Sequence, residues 1–127
     1  MDEPLVWALD HITITAPHDQ QDNVRWFYGN ILGLQEIEVP SHVAGDKPIW
    51  FRVGRNQELH VSFESPVQNT IAPRHVGLKV RSVQKVFEAL RSNGFDAAAD
   101  LAGKGAARCF CRDPFGNRLE FVEYAEG

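Results

Sequence analysis

Residues 8–16 are Ala-Leu-Asp-His-Ile-Thr-Ile-Thr-Ala, a short stretch in which β-branched and polar residues alternate. A period of two predicts a half-buried β-strand, with Ile12 and Ile14 on its apolar side and His11 on its polar side. After a polar loop, apolar residues recur at helical spacing, which predicts a helix that ends at Gly33. Three more strands are then predicted, at residues 34–39, 48–53 and 58–64.

The same order of elements returns in the second half of the chain. Residues 65–73 contain two prolines and are predicted to be a linker. After it come a predicted strand, a helix capped by Ser82, and three further strands, at residues 74–80, 82–93, 95–99, 106–112 and 118–124. We therefore expect one α+β domain over residues 1–127, built from two paired βαβββ units at 8–64 and 74–124. The units should form a curved, cup-like mixed sheet with the helices on its outer face.

The alternation of side chains along each strand, its phase, indicates which residues share one side of the sheet and could form a functional site. In each unit the first and last strands place apolar residues on one phase, and histidine or glutamate residues share the opposite phase. If the helices cover the apolar phase, the opposite phase lines the inside of the cup. Imidazole and carboxylate groups on rigid strands suit a first-row divalent cation. The candidate ligands are His11, His60, His75 and Glu120.

Composition and charge exclude several classes of function. The 127 residues carry a net charge of −4, with a pI near 5.7, and the basic residues are scattered, so we expect no nucleic-acid binding. There is no apolar run of ~18 residues, so we expect no membrane association. The first residues do not resemble a secretory signal.

Cys109 and Cys111 flank Phe110 and are interpreted as small buried hydrophobic residues in a reducing, cytoplasmic compartment.

Several segments together resemble a known family. They are Asp-His-Ile-Thr-Ile at 10–14, Trp-Phe-Tyr-Gly-Asn-Ile-Leu-Gly-Leu at 26–34 and Asp-Pro-Phe-Gly-Asn-Arg-Leu-Glu-Phe at 113–121, within paired βαβββ units. In this combination the sequence is similar to the vicinal oxygen chelate superfamily over about residues 7–124. That superfamily includes glyoxalase I, methylmalonyl-CoA epimerase, extradiol dioxygenases, fosfomycin thiol transferases and bleomycin-resistance proteins.

The resemblance implies a metal site and an assembly. In the superfamily, the ligands come from the first and last strand of each unit, which gives His11, His60, His75 and Glu120 here. The implied cofactor is one divalent ion, of Zn, Ni, Co, Mn or Fe, held where two adjacent oxygens of a small-molecule substrate can reach it. His60 stands where the lyases and epimerases commonly carry Glu or Gln, so it is either a weak ligand or a catalytic base. The resemblance also implies a homodimer, with sites built from one chain or shared between two.

The expected function is that of a metal-dependent, glyoxalase-like lyase or isomerase, with Glu120 and His60 as candidate catalytic residues. Residues on the polar phase of neighbouring strands are candidates for substrate binding; these are Thr13, Trp50, Arg52, Arg108 and Phe110. Glu58 is a candidate partner for the His60 ring. Two alternatives stay open. One is a small-molecule binding protein of the bleomycin-resistance type, and the other is a thiol transferase that opens an epoxide antibiotic.

Overall fold

A computed structural model describes residues 3–43, 45, 47–67, 73–101 and 106–124 of the chain. The first unit contains β1 (His11–Ala16), α1 (Gln21–Val24) continued by a π-helix (Arg25–Ile31), β2 (Gln35–Ile37), β3 (Ile49–Val53) and β4 (Gln57–Phe63). The second contains β5 (Val76–Lys79), α2 (Val83–Ser92), β6 (Ala98–Asp100), β7 (Ala106–Arg112) and β8 (Arg118–Tyr124). In the described part of the chain, no helix has the length and apolar character needed to cross a membrane.

The two units have the same topology. The strand orders are β1-β4-β3-β2 and β5-β8-β7-β6, and in each sheet the first and fourth strands are parallel while the other pairs are antiparallel. The predicted α+β fold of two βαβββ units is therefore confirmed. Part of the predicted linker, residues 68–72, lies outside the described residues.

Several elements are shorter than predicted or shifted. β1 begins at His11 rather than residue 8, because its partner strand begins at Gln57 and the first paired residues are His11 and Glu58. β5 begins at Val76, so His75 lies just before the strand. The sixth strand was predicted at residues 95–99 but lies at Ala98–Asp100. In its place, the backbone N–H of Phe95 donates to the carbonyl of Leu90 at 3.0 Å, which closes the end of α2.

One apolar core joins both units. It contains inward residues of each sheet and the apolar sides of the helices, and its largest fully buried members are Tyr28, Phe27, Phe51, Phe121, Ile49, Leu59, Leu90 and Leu119. The predicted apolar phase is buried at Ile14, Leu59 and Phe121, whereas Ile12, predicted on the same side of β1 as Ile14, is 38% exposed. We call the opposite side of each sheet its polar face.

The first helix reaches the core in an unusual way. It widens into a π-helix, in which the N–H of Leu32 donates to the carbonyl of Phe27 at 3.0 Å. Such wider turns are uncommon in proteins. Consecutive residues Phe27 and Tyr28 are both fully buried here, with their rings in edge contact at 4.9 Å.

Candidate metal and substrate site

The polar face of the first sheet is organised around His60. In the strand register, His60 lies between Thr13 of β1 and Trp50 of β3. Its ring stacks on Trp50 with centroids 3.8 Å apart and on His11 with centroids 4.1 Å apart. These two contacts bury the imidazole, and His60 is only 7% exposed. The stack therefore holds His60 in one orientation, and the strand register places Thr13 and Trp50, two candidates for substrate binding, beside it.

In each of these two histidines, one ring nitrogen is hydrogen-bonded to a neighbouring carboxylate. Oε1 of Glu58 lies 2.8 Å from Nε2 of His60, and Oδ1 of Asp10 lies 2.7 Å from Nδ1 of His11. The contact of Glu58 with the His60 ring agrees with the sequence analysis. The other nitrogen of each ring, Nδ1 of His60 and Nε2 of His11, is not used in these two bonds. We refer to these two histidines as the His11–His60 pair.

The polar face of the second sheet is organised around Glu120. Its Oε1 lies 2.9 Å from Nε2 of His75, and its Oε2 accepts a hydrogen bond from Nη1 of Arg108. Hydrogen bonding to Glu120 raises the pKa of the Arg108 guanidinium above its usual value, so Arg108 remains charged. Phe110 lies opposite Glu120 in the register of β7 and β8. We refer to His75 and Glu120 as the His75–Glu120 pair.

The structure thus joins the four predicted ligands two by two. Each βαβββ unit contributes one pair in direct contact, with His11 and His60 on β1 and β4, Glu120 on β8 and His75 just before β5. Among the residues that the structure describes, no three His, Cys, Asp or Glu side chains of one chain are grouped in a way that could hold a metal ion. Three imidazoles and one carboxylate nevertheless match the ligand preference of a first-row divalent cation. The donor chemistry fits such an ion, and the contacts of one chain bring these residues together as two separate pairs.

Arg52 makes its side-chain hydrogen bond at the hairpin turn rather than to the rings of the His60 stack. It is exposed, and its Nη1 donates to the carbonyl of Arg55 in the hairpin turn at 3.1 Å. Its register partners on the neighbouring strands are Glu58 and Gln35. In this arrangement, the guanidinium stabilises the turn between β3 and β4, and its role in substrate binding stays a prediction.

A groove that the sequence analysis did not identify lies between β1 and the start of β5. It has a volume of about 340 Å³ and exposes a concentration of basic side chains. We call it the basic groove and define it by Thr13, Thr15, Glu64, Arg74, Arg112 and Arg118. Strand phase could have indicated two of these residues, because Arg112 shares the phase of Arg108 and Arg118 that of Glu120.

The turn between β7 and β8 is held by buried polar contacts. Asp113 Oδ1 accepts the backbone N–H groups of Phe115 and Asn117, at 2.9 and 2.8 Å. Its Oδ2 accepts the hydroxyl of Tyr28 at 2.6 Å and the amide of Asn117 at 2.7 Å. The Asn117 amide also donates to the backbone carbonyl of Thr15 at 3.0 Å, which ties the turn to β1. The turn that separates Arg112 from Arg118 is therefore anchored to both units.

Burial raises the pKa of several groups near this turn. It raises the pKa of the Tyr28 hydroxyl well above 10 and raises the pKa of Asp113, although four hydrogen bonds to that carboxylate act in the opposite direction. Burial also raises the pKa of Cys109, and that of Cys111 to about 11. Both cysteines are buried and free, which agrees with their interpretation as small apolar residues.

Comparison with known proteins gives the family. No curated protein sequence matches the chain significantly. A glyoxalase family protein from Bacillus anthracis has a similar structure, with a TM-score of 0.85, 29% identity, and coverage of 98% of this chain and 100% of the other. The fold is also shared with FosX, a fosfomycin resistance protein from Listeria monocytogenes (TM-score 0.75, 17% identity, 95% and 96% covered). It is shared as well with TnmS3, an antibiotic binding protein from Streptomyces sp. CB03234 (TM-score 0.74, 14% identity, 97% and 100% covered).

Comparison of the sequence with family models identifies the family, because the match extends over nearly the whole chain. The family model of the Glyoxalase/Bleomycin resistance protein/Dioxygenase superfamily matches residues 8–121, which include the first βαβββ unit, the second as far as Phe121 in β8, and all four candidate ligands. This chain belongs to the Glyoxalase/Bleomycin resistance protein/Dioxygenase superfamily.

Proposed function

We propose that the protein is a metal-dependent, glyoxalase-like lyase or isomerase that acts on a small substrate with two adjacent oxygen atoms. The observation that carries the proposal is the pairing of the four candidate ligands. His11 stacks on His60 in the first unit, and His75, which precedes β5, contacts Glu120 of β8 in the second. When bound, a divalent cation would supply electrostatic stabilisation of the negative charge that develops on the substrate oxygens.

We further propose that two copies of the chain complete each site. In one chain the pairs do not form a group of three or more ligands among the described residues, whereas a second copy can bring one chain's His11–His60 pair to the other chain's His75–Glu120 pair. The segment before β1 supports association, because Leu5, Val6 and Trp7 are 100%, 78% and 90% exposed. Adjacent apolar side chains with this exposure are typical of surfaces that become covered.

The chain's own residues have distinct parts in this proposal. His60 is held by stacking and by Glu58, so it can act as a positioned base or as a ligand of the site. Trp50 forms an apolar wall beside it and limits the access of water. Arg108 balances the charge of Glu120 and competes with a cation for one of its oxygens.

Metal titration of mixed dimers tests this proposal. One variant carries His11→Ala and His60→Ala, and the other carries His75→Ala and Glu120→Gln. Each alone should bind no metal tightly. If sites are shared, an equimolar mixture that exchanges subunits should regain about a quarter of an equivalent of Co²⁺ or Zn²⁺ per chain, because half of the dimers are mixed and each restores one site.

A matched control and two contrary outcomes complete this test. Glu88→Gln removes an exposed carboxylate from α2 and should leave metal binding unchanged. No recovery in the mixture, with full binding by the parent, would locate the whole site in one chain. Less than about a tenth of an equivalent in the parent, with every metal of the series from Mn to Zn, would reject the metal-dependent function.

One observation favours a second candidate, a metal-free small-molecule binding protein. Both oxygens of Glu120 already have partners, Arg108 and His75, so the carboxylate is neutralised without a cation. A binding protein could use the same polar faces and the stacked rings of Trp50 and His60 to hold a flat ligand. Metal analysis of the parent separates the two functions, because only the enzyme requires about one equivalent per site.

A further inference from the structure

Two arginines lie directly opposite each other at the ends of β7 and β8. Arg112 and Arg118 are register partners, and both belong to the polar face of the second sheet. Like charges at directly opposite positions of a sheet are destabilising. Such a pair is unexpected in a chain whose net charge is −4. It needs a physical reason beyond the formation of the strand.

Neighbouring groups leave much of the hydrogen-bonding capacity of these side chains unused. Nη1 of Arg112 donates to the carbonyl of Gly116 at 2.7 Å, and Nη1 of Arg118 donates to the carbonyl of Pro73 at 3.3 Å. The Arg118 guanidinium also lies over the Phe110 ring, 5.5 Å from its centroid. Within the described ranges, neither arginine forms an ion pair with a carboxylate. Each guanidinium has five N–H donors, so most of them remain available to a ligand.

Both guanidinium groups line the basic groove. Arg74 joins them there, Thr13 and Thr15 provide hydroxyl groups on the β1 wall, and Glu64 is the one carboxylate among the described lining residues. Arg112 and Arg118 form no ion pair within the described ranges, so their two positive charges against the one negative charge of Glu64 give a local excess of positive charge. A concave site with such an excess attracts small anions.

The groove walls are positioned before any ligand arrives. The turn that separates the two arginines is held by Asp113 and Tyr28 in the core, and Asn117 bonds it to β1. A rigid frame lowers the cost of ordering side chains on binding. Guanidinium groups on such a frame suit oxyanions, because they can donate two parallel hydrogen bonds to a carboxylate or a phosphate.

We propose that the basic groove is an oxyanion subsite, in which Arg112 and Arg118 bind a carboxylate or phosphate group of the small-molecule ligand. Its position relative to Glu120 extends the proposed function, on which this part of the inference rests. Arg118 and Glu120 are two residues apart on the same face of β8, so their Cα atoms are separated by about 7 Å. The substrate class is then a small compound with two adjacent oxygens at one end and an anionic group a few bonds away.

Anion titration of the metal-free protein tests the subsite independently of the metal. Inorganic phosphate and malonate are titrated into chelator-treated protein, and binding is followed by calorimetry and by the ¹⁵N NMR signals of the arginine Nε–H groups. Saturable binding near one equivalent per chain is expected, and it should weaken as ionic strength rises because the contacts are charged and partly exposed. The stronger of the two probes tells whether the group is tetrahedral or planar.

Substitutions locate the binding. Arg112→Gln and Arg118→Gln, alone and together, should each weaken binding of the preferred anion at least tenfold while far-ultraviolet circular dichroism stays that of the parent. Arg118→Lys should recover only part of the affinity, because an ammonium group cannot form the bidentate contact. Arg55→Gln is the matched control, since Arg55 is an exposed arginine in the β3–β4 turn, outside the groove.

Two results would overturn the proposal. One is parent affinity in the double variant, or in both single variants if the double variant fails to fold. The other is an absence of saturable binding of both anions to the parent up to tens of millimolar. Metal binding without anion binding would reject the subsite alone. Anion binding without metal binding would reject the proposed enzyme and keep the subsite.

Discussion

The buried hydrogen bond between Tyr28 and Asp113 allows a quantitative prediction about the link between the two units. The Tyr28 hydroxyl is fully buried and lies 2.6 Å from Oδ2 of Asp113, 85 residues away in sequence. Tyr28→Phe removes this bond and retains the ring contacts with Phe27 and Phe51. A hydrogen bond to a charged group contributes ~1.5–3 kcal/mol, so we expect a loss of about 2 kcal/mol in the free energy of unfolding.

The corresponding change in melting temperature follows from chain length. Unfolding entropy is ~2.1 cal/mol/K per residue, or about 0.27 kcal/mol/K for this chain, so the Tm should fall by about 7 °C at neutral pH. The difference should shrink above pH ~10. Burial raises the pKa of Tyr28 in the folded state above that in the unfolded state. The stabilisation is therefore complete below the unfolded pKa and is lost as the pH rises through the folded pKa.

Thermal melts of the parent and Tyr28→Phe at pH 7 and above pH 10 measure both effects. The matched control is Tyr124→Phe, because Tyr124 is the second of two tyrosines in the chain and is 53% exposed. That variant should melt within about 2 °C of the parent. A Tyr28→Phe variant that melts with the parent at pH 7, or a difference that widens with rising pH, would refute the assigned role of the hydrogen bond.

Three further predictions concern the same turn, the cysteines and the metal. Asn117→Asp replaces two hydrogen bonds donated by the amide with a carboxylate beside Asp113. Urea denaturation should therefore show that the free energy of unfolding falls by about 3 kcal/mol. A decrease below about 1 kcal/mol would contradict the anchoring role of Asn117. Burial raises the pKa of Cys109 and brings that of Cys111 to about 11, so a disulfide reagent at pH 8 should label the folded protein at least about a hundredfold more slowly than the urea-unfolded protein. Equal labelling rates would show that the thiols are accessible. Arg108→Met removes the competitor for Glu120 and should tighten Co²⁺ binding several-fold in calorimetric titrations, whereas weaker binding would show that Arg108 supports the site.

Strand phase was the most informative property of the sequence. Side chains alternate strictly along a strand, so the apolar residues of each strand determine which residues share the polar face. This placed His11, His60 and Glu120 correctly, before any knowledge of which strands are neighbours. The helices that cover the apolar faces were predicted for the same reason, because their apolar residues recur at the helical period.

The ends of the elements were less accessible to such reasoning, because they depend on neighbouring strands. Residues 8–10 continue the alternation of β1 locally, yet the strand begins at His11, where pairing with β4 begins. The π-helix was likewise predicted as part of an ordinary helix. Its apolar spacing is compatible with either kind of turn, and the sequence carries no local signal that separates them.

By itself, the sequence determined the α+β fold with its repeated βαβββ unit and the polar face on which His11, His60 and Glu120 lie. Both follow from periodicities of two and 3.6 residues, which arise within single elements. Only the tertiary structure decided that His60 is enclosed between Trp50 and His11, and that Arg112 and Arg118 meet beside β1. The bond from Asn117 to Thr15 spans 102 residues. Such contacts depend on strand register and on the packing of one unit against the other, which no local pattern encodes.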